Sequence, residues 1–184
     1  MRPECIRMIP AMICPSGRFQ LRPVQAEDKP FIHCGLSHPE VIKHYAVSFP
    51  TLEATQEQMD WYSDLQRNGT GQWWTIRSTE EAVFLGAIGL SSIDRKHRRC
   101  EVGFWLLPEH WRKGIIREVL PMVIEYAFGT LGLHRIMAEV ETDNPASAKA
   151  LSFAGFTHEG TLHECEWKDG RSISLDVFAL LNKA

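Results

Sequence analysis

The stretch at residues 101–129 reads EVGFWLLPEHWRKGIIREVLPMVIEYAFG and decides the fold. Its first part belongs to a predicted strand over residues 100–107, which Pro108 ends. Apolar residues then recur at helical spacing over residues 115–129. A strand, a short basic loop and a helix therefore follow one another directly along the chain.

The loop between that strand and that helix is a candidate anion site. Arg112, Lys113 and Gly114 stand just ahead of the helix, where free backbone N–H groups and the helix dipole favour negative charge. Gly114 allows close approach of a bound group, and Arg117 adds positive charge. Phosphate is the natural guest, although a glycine here also suits a plain turn. No Walker or G-x-G-x-x-G pattern is present, which argues against nucleoside triphosphates and dinucleotides.

The elements around this stretch predict one α/β domain with a mixed sheet over residues 17–184, after an irregular tail at residues 1–16. Asn144 and Pro145 are a good N-cap and first residue for a helix that Gly155 ends. Asp169 and Gly170 predict a hairpin turn. The predicted helices cover residues 26–36, 38–45, 52–67, 115–129 and 145–154. The predicted strands cover residues 19–22, 72–78, 83–91, 100–107, 133–142, 156–167 and 172–181.

Composition excludes several functional classes. The chain has 184 residues, of which 44% are hydrophobic and 23% charged, with a formal net charge of −3. That balance is typical of a globular protein and not of a disordered or nucleic-acid-binding one. The basic run at residues 95–99 is interpreted as a solvated turn, so no nucleic-acid partner is expected. No apolar run is long enough for a membrane span, so no membrane partner is expected.

Cysteine and histidine spacing gives no metal signature. The five cysteines lack close pairing, which favours reduced thiols in a cytoplasmic protein. His33, His38 and His44 do not stack on one helical face, so they are interpreted as surface or pocket-lining residues. We therefore expect no metal.

Together these segments resemble the GNAT superfamily of acyl-CoA-dependent N-acyltransferases, in particular its branch that acetylates ribosomal-protein N-termini. Residues 111–116, WRKGII, look like the family's pyrophosphate loop, although Trp111 and Ile116 depart from its usual Gln or Arg and its last small residue. The likeness extends over residues 17–181. It further includes Asp28 and residues 18–23, 86–90, 101–106, 144–147 and 155–156.

The resemblance implies a GNAT-like fold and a place for acetyl-CoA. The fold has a central, mixed, mostly antiparallel twisted sheet flanked by helices, with one parallel pair of strands, here residues 101–107 and 133–142, splayed apart. Acetyl-CoA, the expected co-substrate, would occupy the opening. The backbone of Leu106 and Leu107 would pair with the pantetheine, and Asn144 would bond it from the other side. The pyrophosphate would lie on the backbone amides of Arg112, Lys113, Gly114, Ile115, Ile116 and Arg117.

Two residues are predicted to serve the chemistry. Many family members have a Tyr seven residues after the Asn, where this chain has Leu151. In the similar branch a Ser takes that role, which implies that Ser147 donates a hydrogen bond to the leaving sulfur. The alternative is that Ser147 only helps to cap the helix. Glu101 is the candidate base that deprotonates the amine, directly or through water. The alternative is that Glu101 is an exposed carboxylate paired with Arg98 or Arg99. A lysine-like amine costs about 4.6 kcal/mol to deprotonate at pH 7, and a protein α-amine only about 1–1.4 kcal/mol.

The expected function is therefore direct transfer of an acetyl group from acetyl-CoA to a primary amine of a small molecule or a protein N-terminus, by a monomer or homodimer. A covalent route through Cys100 is disfavoured, because a buried thiol is the simpler interpretation. Aromatic residues that are available to line an acceptor pocket are Trp61, Tyr62, Trp73, Trp74, His163 and Trp167. The alternative function is a non-catalytic module that binds and senses acyl-CoA.

Overall fold

One eight-stranded sheet runs through the computed structural model, which describes residues 11–45 and 47–183. The strand order is β1-β2-β3-β4-β5-β6-β8-β7, and the β5–β6 contact is the parallel one among these pairs. The strands are β1 (Met12–Ile13), β2 (Phe19–Pro23), β3 (Gln72–Ser78), β4 (Phe84–Asp94), β5 (Arg99–Leu106), β6 (Arg135–Glu141), β7 (Thr157–Lys168) and β8 (Arg171–Leu181). The predicted mixed, mostly antiparallel sheet is confirmed.

Helices cover both faces of the sheet. They are α1 (Lys29–Leu36), α2 (Pro39–Ile42), α3 (Gln56–Asn68), α4 (Ile115–Glu125) and α5 (Pro145–Phe153). Ile32, Leu36 and Tyr62 of the early helices pack with Trp73 and Trp105 in one apolar cluster. The residues of α4 and α5 pack in a second cluster, which includes Val119, Leu120, Val123, Leu151 and Trp74. Burial of apolar side chains on both faces fixes the sheet between two helical layers. Each described helix is too short or too polar to cross a membrane.

The hairpin of β7 and β8 follows the predicted turn chemistry. Asp169 and Gly170 have φ values of 49° and 78°, and Lys168 pairs with Arg171 across them. A two-residue turn in which both residues have positive φ matches the twist of the strands it connects. The predicted hairpin is therefore confirmed.

Several predicted boundaries differ from the structure. Met12 and Ile13 pair with Leu21 and Gln20, so residues 12–13 of the predicted irregular tail belong to the sheet; residues 1–10 lie outside the described residues. A strand of two residues leaves no alternating pattern in the sequence, so its pairing with β2 could not be predicted from the local residues. We propose that the domain begins at or before Met12.

The second wrong boundary is the start of α3. Thr51 accepts a hydrogen bond from the backbone N–H of Ala54 at 3.1 Å, and so it organises a turn before the helix instead of capping it. The helix itself begins after Thr55. The predicted end of the helix at residue 129 agrees with the structure to within one residue, because a π-helical turn over Tyr126–Thr130 continues α4 beyond Glu125.

Candidate active site

The parallel pair β5–β6 opens a gap in the middle of the sheet. Arg99, Cys100 and Glu101 pair with Arg135, Ile136 and Met137, and the pairing stops there. β5 continues to Leu106 along β4, while β6 continues to Glu141 along β8. The far halves of the two strands therefore diverge, which confirms the predicted splayed pair.

The register of β5 decides which backbone groups face this gap. The Leu107 N–H donates to the Leu85 carbonyl at 2.9 Å, so Leu107 faces β4. Because backbone direction alternates along a strand, Phe104 and Leu106 turn their N–H and C=O groups toward the gap. The Leu106 carbonyl accepts a hydrogen bond from Trp111 Nε1 at 2.8 Å. One of the two lone pairs of that oxygen is therefore in use.

The Leu107 backbone faces β4, so its predicted pairing with the pantetheine stays a prediction that the register of β5 does not favour. Besides donating to Leu85, Leu107 accepts a hydrogen bond from the His110 N–H at 2.9 Å. Both of its backbone groups are thus satisfied within the protein. Phe104, one alternation before Leu106, takes its place at the edge of the gap.

A cleft of about 690 Å³ lies between the gap and the first turns of α4 and α5; it is called the helix-end cleft below. The structure brings most of the predicted coenzyme residues together along it. Those that line it are Leu106, Arg112, Gly114, Ile115, Ile116, Arg117 and Asn144, together with Ser147. Leu107 and Lys113 are not among the lining residues described.

The amino end of α4 gives the helix-end cleft an open, positively polarised wall. Gly114 caps the helix with a φ of +78°, and a Cβ built there would meet no described atom within 4 Å. The space above Gly114 is therefore free for a ligand that contacts the backbone. The first N–H groups of α4 have no partner within the helix, so they are available to an anion.

Arg117 is held against the opposite side of the helix-end cleft. Its guanidinium carbon lies 3.7 Å from the centre of the Phe153 ring on α5. This cation–π contact restrains the charge without neutralising it. Glu118, also in the first turn of α4, binds Arg18 and Ser16. Arg18 therefore balances the negative charge of Glu118, which would otherwise weaken the positive potential at the amino end of α4.

The amino end of α5 is held by the predicted cap. Asn144 Oδ1 accepts a hydrogen bond from the Ser147 backbone N–H at 3.2 Å, and Pro145 opens the helix. This bond uses neither the side-chain amide of Asn144 nor the hydroxyl of Ser147. Within the described part of the chain, neither of these two groups has a hydrogen-bond partner. Both residues thus serve the cap and keep a donor for a ligand in the helix-end cleft.

A second cavity of about 550 Å³ lies beside the gap, on the face covered by the early helices; it is called the glutamate chamber. Five carboxylate side chains line it, those of Glu57, Glu101, Glu139, Glu141 and Glu166. Its aromatic walls are Tyr45, Phe49, Trp61 and Trp73. Among its described lining residues there is no lysine or arginine. The chamber is therefore a strongly negative, partly apolar space.

The aromatic residues that were available to line an acceptor pocket lie in different places in the structure. Trp61 and Trp73 line the glutamate chamber. Tyr62 and Trp74 are core residues with 5% and 0% of their surface exposed. His163 and Trp167 lie on β7 and do not line either described cavity.

Glu101, the predicted base, lies in the glutamate chamber and not in a described ion pair with Arg98 or Arg99. Arg99 instead pairs with Asp94 at 3.7 Å. Burial, and then the nearby charges of Glu101 and Glu166, raise the pKa of Glu139 above its ordinary value. Mutual repulsion among these carboxylates makes the chamber a favourable place for a positive charge.

The two cavities meet at His44 and Tyr45, which line both of them. His44 Nδ1 lies 3.4 Å from Glu141 Oε2 and 3.4 Å from Asp143 Oδ1. Lys168 binds the other oxygen of Glu141, and Arg171 contacts Asp143 at 3.3 Å. Lys168 and Arg171 thus already balance the negative charges of Glu141 and Asp143. The expectation that no metal takes part stays a prediction.

Sequence reasoning missed Glu139 and Glu141, and it interpreted His44 as a surface or pocket-lining residue without predicting its contact with Glu141. Glu139 and Glu141 alternate on β6, so they share one face of the sheet beside the gap. That spacing was the available signal for them. His44 comes from a turn 97 residues away from Glu141, and no local pattern predicts their contact.

Cys100 is excluded as a nucleophile by its surroundings. Its side chain has 0% exposure. Burial, with a smaller contribution from Glu101, raises its pKa to about 12. A thiol that stays protonated in the core does not form an acyl-enzyme, since the thiolate is the reactive species.

Comparison with known proteins identifies the family. The family model described as Acetyltransferase (GNAT) domain matches residues 18–157. The uncharacterized N-acetyltransferase YoaA of Bacillus subtilis (strain 168) is 32% identical over 170 residues, which are 92% of this chain and 96% of that protein. The ribosomal-protein-serine acetyltransferase of Escherichia coli (strain K12) is 23% identical over 153 residues, 83% of this chain and 80% of that one.

A third relative adds a structural match. The spermidine N(1)-acetyltransferase of Vibrio cholerae (serotype O1, strain El Tor Inaba N16961) is 27% identical over 156 residues, which are 85% of this chain and 88% of that protein. A crystal structure of spermidine N-acetyltransferase from Vibrio cholerae with CoA and spermine superposes with a TM-score of 0.80 at 23% identity, covering 89% of this chain and 95% of that one. The fold is thus that of the family.

Proposed function

The chain belongs to the GNAT family of acetyltransferases and transfers acetyl groups from acetyl-CoA to amines; we propose that its acceptor is a small primary amine with a second positive charge, bound in the glutamate chamber. The observation that carries this proposal is a concentration of four carboxylates beside the gap that have no ion-pair partner among the described residues, those of Glu57, Glu101, Glu139 and Glu166; Lys168 already pairs with the fifth, Glu141. A second ammonium group on the acceptor would offset this repulsion. The spermidine acetyltransferase of Vibrio cholerae, a relative of this chain, acts on an amine of that kind.

The helix-end cleft supports a specific placement of acetyl-CoA. The amides at the start of α4 would hold the pyrophosphate, with Arg112, Lys113 and Arg117 contributing charge. The pantetheine would pair with the backbone of Phe104 and Leu106, as an added strand does at a sheet edge. Asn144 would donate to the pantetheine through its side-chain amide.

Direct transfer suits the meeting of the two cavities. The amine in the glutamate chamber would lose a proton to Glu101, directly or through water, and then attack the thioester carbonyl. Ser147 would donate a hydrogen bond to the sulfur as negative charge develops there. The high pKa of Cys100 supports this route over an acyl-enzyme.

A non-catalytic module that only senses acyl-CoA is not favoured. A sensor needs the helix-end cleft, but it has no use for an acidic chamber that opens onto the same gap. Both cavities are present and share two lining residues.

The reaction is proposed for the cytoplasm, as a monomer or homodimer. Four cysteines of the described residues, Cys14, Cys34, Cys100 and Cys165, are free thiols. Such thiols fit a reducing compartment.

A panel of amines, with release of free thiol from acetyl-CoA as the measurement, tests the proposal. Linear diamines and polyamines are expected to react faster than monoamines of equal length, and peptides with a free N-terminus form the second arm. Faster reaction of uncharged-tail monoamines or of peptides would contradict the polyamine-like acceptor without contradicting acetyl transfer.

A further inference from the structure

The junction of the two cavities carries a histidine whose surroundings resemble those of a general acid–base. His44 borders both the helix-end cleft and the glutamate chamber. A side chain at that position lies between the proposed place of the amine and the proposed place of the sulfur. This argument rests on the proposed placement of both substrates.

Two carboxylates orient the imidazole ring. Nδ1 of His44 lies 3.4 Å from oxygens of Glu141 and Asp143, at the outer limit of hydrogen-bond range. A proton on Nδ1 can be donated to Glu141 Oε2, which leaves Nε2 as the basic nitrogen. No partner of Nε2 is found among the residues the structure describes. A base held by a carboxylate on its far nitrogen is the arrangement that activates nucleophiles in many enzymes.

Charged groups from several elements surround His44, and Glu57, Glu101, Glu139 and Glu166 line the glutamate chamber that it borders. The groups that face His44 or its partners are Glu40 and Lys43 near α2, Tyr45 beside it, Glu141 and Asp143 after the splayed strand, and Lys168 and Arg171 on the final hairpin. Burial opposes ionisation of Asp143, but the hydrogen bond from Arg171 and the charge of His44 outweigh it and lower its pKa. An imidazolium formed at His44 would therefore have an ionised partner at once.

We propose that His44 shuttles the proton of the attacking amine to the leaving sulfur. As the C–N bond forms, the N–H bond of the amine breaks and its proton moves to Nε2. As the C–S bond breaks, the sulfur keeps the electron pair and takes the proton from Nε2, so free thiol leaves and His44 returns to neutral. The proton that Glu101 removes from the ammonium group before the attack passes to solvent. It is the one proton that the overall reaction releases.

This role complements Ser147. A serine hydroxyl is a poor acid, so it stabilises the departing sulfur without supplying the proton. An imidazole nitrogen can both take up and release a proton, so it can serve both halves of the transfer.

Replacement of His44 by alanine tests the shuttle. We expect kcat at saturating substrates to fall by about 100-fold or more, since general acid–base groups contribute on that scale. The KM for acetyl-CoA should change little, and added imidazole should recover part of the lost kcat. His97→Ala is the matched control, because His97 lies on the exposed turn before β5 and lines neither described cavity.

Each outcome of the alanine experiment is decisive. A kcat near that of the wild type, or a loss that imidazole does not rescue, overturns the shuttle and leaves His44 a structural contact. Wild-type enzyme that acetylates no charged amine in the panel contradicts the proposed acceptor instead. The two failures are therefore distinguishable.

A second variant keeps the test informative if His44→Ala does not fold. His44→Gln keeps a side chain that can donate a hydrogen bond to Glu141 but cannot take up and release a proton. We expect its kcat to fall as far as predicted for His44→Ala, with little change in the KM for acetyl-CoA. Folded His44→Gln with a wild-type kcat overturns the proposal.

Discussion

Ser147 shows how one residue serves both the fold and the chemistry. Its backbone N–H completes the cap of α5 on Asn144, while its hydroxyl stays unbonded among the described residues and borders the helix-end cleft. The two roles use different atoms. They are therefore separable by a substitution that removes only the hydroxyl.

Ser147→Ala should lower turnover about 10-fold, because a hydrogen bond to a charged group is worth roughly 1.5–3 kcal/mol. Acetyl-CoA affinity, measured by calorimetry, should stay within about twofold, because the backbone cap remains. Ser152→Ala is the control, since the Ser152 hydroxyl binds the Ala148 carbonyl within the same helix. Equal kinetics for Ser147→Ala and wild type would leave Ser147 a cap only.

Glu101→Gln tests the base. With an amine of pKa near 10, kcat/KM at pH 7 should fall by about 100-fold or more, the usual contribution of a general base. The deficit should shrink as the pH rises, because more of the amine is already neutral. A pH–rate profile that matches wild type would remove Glu101 from this role.

Glu139 links the pH to acceptor binding. Its pKa is raised by burial and by the charges of Glu101 and Glu166. Since only the ionised carboxylate attracts a cation, the KM for a diamine should rise as the pH falls through this raised pKa. Glu139→Gln should raise that KM several-fold at pH 7, by about 1 kcal/mol, and remove this limb.

The control for Glu139→Gln is Glu80→Gln, which removes the same charge from an exposed turn. An unchanged KM in Glu139→Gln, or an equal rise in both variants, would contradict local recognition by the glutamate chamber. Kinetics at several pH values distinguish these outcomes.

At the scale of elements, the meeting of strand, loop and helix at residues 99–125 was the most predictable part of the molecule. Alternation, Pro108 and Gly114 mark it in the sequence, and the structure has β5 and α4 there. The orientation of single backbone groups was less predictable. It depends on the register with β4, which directs Leu107 away from the gap.

Gly114→Asp should abolish acetyl-CoA binding, because a carboxylate above the amino end of α4 occupies the phosphate position and repels it. Gly132→Asp is a matched control for backbone strain. Its φ is +65° and, as at Gly114, an added Cβ would meet no described atom within 4 Å.

Both glycine variants should lose about 1–2 kcal/mol of stability from the left-handed backbone, and Gly132→Asp alone should keep coenzyme affinity. Thermal unfolding and calorimetry measure the two effects separately. Binding by folded Gly114→Asp with wild-type affinity would show that the site is misplaced.

At the scale of the whole molecule, the sequence predicted the layered α/β fold and the family but not the acceptor side. The helix-end cleft arises from segments whose local signals are strong. The glutamate chamber combines residues from α3, β5, β6 and β7. Its composition follows from long-range packing, which no single pattern in the chain reveals.

The junction illustrates the same limit. His44 and Glu141 meet only because β6 diverges from β5 and the turn after α2 covers the opening. Each residue alone looks ordinary in the sequence. Their combination gives the two cavities a shared wall with a titratable group.

A crystal structure with CoA and a diamine is the decisive experiment for the two cavities. We expect the pyrophosphate on the amides that follow Gly114, the pantetheine along Phe104 and Leu106, and the diamine among Glu101, Glu139 and Glu166. A coenzyme bound elsewhere, or a diamine outside the glutamate chamber, would contradict the proposed placement.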